Sequence, residues 1–268
     1  MIEFFALAFV FFLILLGSNL YHSLLLMRLE KSDSPHLQKQ KVIKTNKASP
    51  LVLITILFLL IIASLVVVFL LSKNILLVYV GLVTFAMLTI SVYFLAASSH
   101  RFIISLFIST LLILVQLFFK IPALGNLLII LGYLGVTAYI MQSKILPPKI
   151  ILVLFIFYAL YDLMGVYVIP LQPALADKAI NDIFPPAIQI GQTLLGNGDL
   201  LFALLMTAFL RVYYGLSTSL TGAFLFSLPL GLLGVFAKLF PWMNITVPYL
   251  VLMTPLFLGI VAWHERKA

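Results

Sequence analysis

The sequence predicts an all-α polytopic membrane protein of nine transmembrane helices. Hydrophobic residues fill 64% of the 268 positions and charged residues only 9%. Mean hydropathy is +1.24, a balance that soluble domains of this size do not show. The apolar residues also fall into runs of membrane length, since roughly 20 helical residues cross about 30 Å of hydrocarbon. A bilayer leaves no lipid-facing backbone group unpaired, so each run is a helix or a barrel strand. The residue-by-residue alternation of a barrel strand is absent, and helices remain.

In chain order the spans are expected near 3–25, 51–71, 75–97, 101–119, 122–141, 150–169, 191–210, 215–236 and 246–263. The first run lacks a basic leader and a small-residue cleavage signal, which predicts a retained helix. Arg28 to Pro50 is the one long polar segment on its side, a solvated loop whose lysines can also touch anionic head groups. Charged residues punctuate the later runs, with Lys73 before the third, Arg101 and Lys120 around the fourth, Lys149 before the sixth and Arg211 after the seventh. Trp242 and Trp263 bracket the ninth as interfacial anchors.

Threading nine spans puts Arg28, Lys31, Lys39, Lys41, Lys44, Lys47, Arg101, Lys144, Lys149, Arg211, Arg266 and Lys267 on one side, twelve of the sixteen basic residues. The positive-inside bias then predicts an N-terminus outside and a C-terminus in the cytoplasm. That bias also accounts for the net charge of +8, and no nucleic-acid partner is expected. The chain divides into an N-terminal part, 1–149, with helices 1 to 5 and the basic loop, and a C-terminal part, 150–268, with helices 6 to 9.

Two acids stand inside consecutive apolar runs, Asp162 in Tyr161-Asp162 and Asp199 in Gly196-Asn197-Gly198-Asp199. An intramembrane carboxylate is costly and marks function by default. Asp162 lies about seven residues before the end of its span and Asp199 about eight after the start of the next, roughly 11–12 Å deep in each. Antiparallel neighbours then carry both carboxyl groups at one level. Two such groups in a low-dielectric site cannot both ionise, so one is an acid while the other is a base. That pair can activate one water against a peptide bond. Gly196, three residues before Asp199, and Gly165, three after Asp162, are expected to share their aspartates' helix faces, where a missing side chain leaves room for another backbone. Tyr158 is one turn from Asp162, within reach of its carboxyl group.

Tyr-Asp in one span, Gly-x-Gly-Asp in the next and a proline motif opening the last of nine spans resemble the presenilin and signal peptide peptidase family of intramembrane aspartyl proteases. The resemblance covers roughly 150–260. Tyr161-Asp162-Leu163 and Leu195-Gly196-Asn197-Gly198-Asp199 fit the two catalytic motifs, with Asn197 in place of the commoner apolar residue. It implies Asp162 and Asp199 as the catalytic pair, supported by Tyr161, Gly196, Gly198, Pro248 and Leu250. The family's Pro-Ala-Leu is here Pro248-Tyr249-Leu250, and a tyrosine is expected to fill space that alanine leaves open beside the acids. A literal Pro173-Ala174-Leu175 lies between the aspartates, where position argues coincidence.

The outside N-terminus resembles the signal peptide peptidase branch, which implies substrate helices of type II orientation, including remnant signal peptides, and no obligatory partner subunit. Homo-oligomerisation stays open. Compact forms of this kind resemble archaeal homologues, implying a prokaryotic plasma membrane. No cofactor or metal is expected. Cysteine is absent, and His22, His36, His100 and His264 have no ligand spacing. A proton- or cation-coupled transporter is the rival reading of two buried acids. A prepilin-type peptidase needs its first aspartate much nearer the N-terminus.

Overall fold

The computed structural model describes residues 2–31, 73–96, 100–143, 147–167, 187–190, 193–239 and 249–266. The second expected span, 51–71, and Pro248 lie outside them. Eight helices appear among the described residues: α1 (Ile2–Lys31), α2 (Lys73–Leu95), α3 (Arg101–Phe119), α4 (Pro122–Ser143), α5 (Pro148–Tyr167), α6 (Asn197–Tyr214), α7 (Leu216–Leu239) and α8 (Tyr249–Glu265). Five of them, α1 to α4 and α7, are by length and composition able to cross a membrane, and α8 is a shorter apolar helix. The chain is an integral, multi-pass, almost wholly helical membrane protein.

One departure is consequential. The seventh span was expected to be helical from 191, but the chain instead forms a hairpin of β1 (Ala187–Ile190) and β2 (Thr193–Gly196), and α6 starts only at Asn197. The strands are antiparallel, with Ala187 opposite Gly196 and Ile190 opposite Thr193. An apolar run this short reads alike as strand or helix, so hydropathy alone could not separate them. Irregular backbone at membrane depth survives where protein covers it, and both strands pack on α1.

α6 is the centre of the bundle. It touches α1, α4, α7, α8 and β2, and Leu200, Ala203, Leu204, Met206, Thr207, Ala208, Phe209 and Leu210 are all buried. A helix apolar on every side belongs in a core. Its polar members are internally satisfied, as the Thr207 hydroxyl donates to the Ala203 carbonyl at 2.7 Å and Ser219 of α7 donates to the Thr207 carbonyl at 2.7 Å. Aromatic rings join the helices of the C-terminal half: Phe257 of α8 meets Phe155 of α5 edge-on at 4.8 Å and Phe209 of α6 at 5.5 Å. Outward-facing Phe102, Phe107, Phe118 and Leu232 are exposed, as lipid-facing side chains should be.

On the N-terminal side, α2 packs closely along α4. A Cβ on Gly135 would collide with the backbone of Ser91, so glycine sets how near these helices come.

Candidate active site

Asp162 lies on the last turns of α5, five residues before Tyr167, and is 5% exposed. Burial of a carboxylate inside a bundle requires donors. One is the backbone amide of Leu250, which donates to Asp162 Oδ2 at 3.2 Å. Leu250 is the second residue of α8, and the first amides of a helix have no partner within it. The start of α8 therefore directs a free N–H, at the positive end of the helix dipole, at the acid. Leu250 supports the site through its main chain.

Asp199 occupies the first turn of α6, the third helical residue after Gly196 as N-cap. An acidic side chain at that position folds back on the cap backbone, the carboxylate half of a capping box. The geometry agrees, for a Cβ on Gly196 would stand 3.1 Å from Asp199 Oδ2. Gly196 has extended backbone, φ −61° and ψ 144°, because it ends β2. It is thus not on a helix face shared with Asp199, as the three-residue spacing suggested. Its bare Cα makes room for the aspartate's own carboxyl group. Around Gly198, by contrast, a Cβ would meet nothing within 4 Å. Among the described residues, open space next to Asp199 is found at Gly198.

The depth argument also changes in detail. Asp199 is at the start of its helix, with the hairpin above it, and not two turns inside. The two carboxyl groups nonetheless lie within range of each other's charge. Asp162 on α5, Asp199 on α6 and the start of α8 converge on one locus.

Tyr161 is half-buried next to Asp162, with its ring 6.3 Å from that of Tyr158. Tyr158 leans on Phe202 of α6, ring centroids 4.1 Å apart, and so packs between α5 and α6. Gly165 falls within α5.

Tyr249 resolves the question raised by its place in the proline motif. It is 3% exposed, its ring stands edge-on to Phe11 of α1 at 5.7 Å, and its hydroxyl donates to the Phe226 carbonyl of α7. Three residues on, Pro229 interrupts α7, and a mid-helix proline loosens the carbonyls of the preceding turn. The phenol reaches that turn. It lies near enough to Asp199 for charge interaction, but it is anchored on α7 and α1. The sequence held one signal for this partnership, a proline inside the eighth span, and could not pair it with a residue in the ninth.

No family model and no curated protein matches the chain. Solved structures do. A presenilin family intramembrane aspartate protease in one crystal form aligns at TM-score 0.61 and 18% identity, over 96% of this chain and 99% of that one. A second crystal form aligns at 0.60 and 20% identity, over 94% and 96%. The fold is that of presenilin family intramembrane aspartate proteases. This presenilin-like fold extends to the N-terminal helices, where the sequence motifs gave no guidance. Among the described residues no cluster of three His, Asp or Glu side chains could hold a metal.

Proposed function

We propose that the protein is an intramembrane aspartyl protease in which Asp162 and Asp199 form the catalytic dyad. The observation that carries the reading is their placement: two acids on adjoining helix ends, within range of each other, in a fold shared almost end to end with such proteases. One aspartate, ionised, takes a proton from water. The other, protonated, polarises the scissile carbonyl and then protonates the leaving nitrogen.

Helical amides are shielded and already bonded, so a substrate helix must unwind locally before attack. The hairpin ending at Gly196, three residues from Asp199, supplies strand backbone beside the acids. An extended substrate segment could pair with such an edge. Gly198 leaves space for it, and Pro248 keeps the supporting role that the resemblance gives it.

The finer reading is nine spans, with 51–71 as the second, the N-terminus outside and the C-terminus in the cytoplasm of a prokaryotic, archaeal-type plasma membrane. The helices of 1–149 shelter the catalytic helices of 150–268. Substrates are transmembrane helices of type II orientation, cleaved by a single chain without partner subunits or cofactor, and self-association stays open. Reconstituted vesicles carrying matched type II and type I transmembrane peptides provide the test, with fragments mapped by mass spectrometry. Type II fragments ending inside the hydrophobic segment are expected. Intact peptides of both orientations, across several sequences, would remove the proposal.

A further inference from the structure

A cavity of about 890 Å³ opens at the other end of the catalytic helices, between the start of α5 and the ends of α6 and α8. Its nearest α5 residue, Lys149, is thirteen positions from Asp162, about 20 Å along a helix. It is distinct from the acid site. Ile150, Leu152 and Phe209 form an apolar floor, and Lys149, Tyr213, Tyr214, His264 and Glu265 surround the mouth.

The mouth is built from side chains held by one another. The Tyr214 hydroxyl donates to Glu265 Oε1 at 3.4 Å, His264 Nε2 is 3.0 Å from the Thr218 hydroxyl, and the Tyr214 and His264 rings lie 5.4 Å apart. Lys149 is exposed, and among the described residues no carboxylate pairs with it. One wall therefore presents a free ammonium and another a carboxylate, over a floor of hydrocarbon and aromatic carbon. Tyrosines at the rim suit the membrane interface.

We propose that this cavity binds one phospholipid whose head group carries a primary amine. The phosphate accepts from the Lys149 ammonium, the lipid ammonium donates to Glu265, and an acyl chain lies on Phe209 and Leu152. The volume falls within the roughly 300–1,000 Å³ of single-molecule ligand sites. An apolar transmembrane helix offers neither an anion for Lys149 nor an ammonium for Glu265, which disfavours a transmembrane peptide as occupant. A lipid seated here touches α5, α6 and α8 at once. Those are the helices that carry Asp162, Asp199 and the Leu250 amide, so occupancy would steady their spacing.

Native mass spectrometry of the detergent-purified full chain tests this, with phosphatidylethanolamine, phosphatidylcholine and phosphatidylglycerol of identical acyl chains in equimolar competition. Phosphatidylethanolamine should lead the other two by about fivefold, the factor one ordinary net hydrogen bond supplies. Glu265→Ala, which removes the acceptor, should abolish the preference over phosphatidylcholine, whose quaternary amine cannot donate. Lys149→Gln should weaken retention of all three, and Leu152→Trp, which fills the floor, should prevent it. Equal retention of the three lipids by wild type, a lead for phosphatidylglycerol, or a bound peptide in their place would overturn the proposal. The wild-type competition decides even if a variant fails to fold, and no arm depends on proteolysis.

Discussion

At the residue scale, the supports of the two acids differ in kind, and so do their expected failures. Gly196→Ala puts a methyl group 3.1 Å from Asp199 Oδ2, displacing a reacting group while the hairpin and α6 persist. Peptidase assays should show kcat falling at least about tenfold with little change in melting temperature, because a misplacement of about 1 Å can cost on the order of a hundredfold in rate. Gly198→Ala meets open space, so stability should hold, and KM rather than kcat should rise if substrate occupies that space. Tyr249→Phe removes the donor to the Phe226 carbonyl and should destabilise by about 0.5–1.5 kcal/mol, the net worth of one intramolecular hydrogen bond. Tyr249→Ala also empties the space beside Phe11 and should cost about 3–5 kcal/mol, in the range of large aromatic truncations. Denaturation in a fixed detergent checks both. Asp162 and Asp199 stand out in the sequence because a charge inside an apolar run has few explanations. The role of Leu250 was legible only as a motif position, since a main-chain amide has no sequence signature of its own.

Elements were legible to the degree that hydropathy determines them. Every expected span among the described residues contains a helix, and the ends agree within a few residues except at the first, where α1 runs on from 25 to Lys31, and at the seventh, where α6 starts at Asn197 instead of 191. There Ala187–Ile190 and Thr193–Gly196 pair as strands, a tertiary choice that an apolar run does not announce. The consequence is functional, since β2 delivers the chain to Asp199 in extended conformation. Ile188→Pro in β1 removes the backbone donor at the hydrogen-bonded pair with Leu195 and should impair the hairpin. Cleavage should fall sharply in the peptide assay while helix content by circular dichroism stays near wild type. Spacing between helices was less visible. Gly135 reads as one small residue among many, yet a side chain there would collide with the backbone of Ser91. Gly135→Leu should separate α2 from α4 and lower stability by at least about 1–3 kcal/mol, as overpacking does.

At the scale of the whole molecule, α6 is buried on all sides, so the acid at its start is held by helices from both halves of the chain. This explains why motifs confined to roughly 150–260 come with a fold shared over 96% of the length: the N-terminal helices are held to shape and hydrophobicity, which many sequences satisfy. Coupled acids make a prediction for the intact enzyme. Below the lower of the pair's two macroscopic ionisations both carboxyls are protonated and no base exists. Above the higher, both are ionised and no acid remains. The pH profile of kcat/KM should therefore be bell-shaped, and a plateau extending to either extreme would exclude a dyad that shares one proton. The most direct measurement is cleavage of a type II transmembrane peptide by wild type, Asp162→Ala and Asp199→Ala, each purified in detergent with an unchanged gel-filtration profile and read by mass spectrometry. The account predicts cuts within the hydrophobic segment for wild type and none for either variant. Intramembrane cleavage surviving in one of the two variants would contradict it.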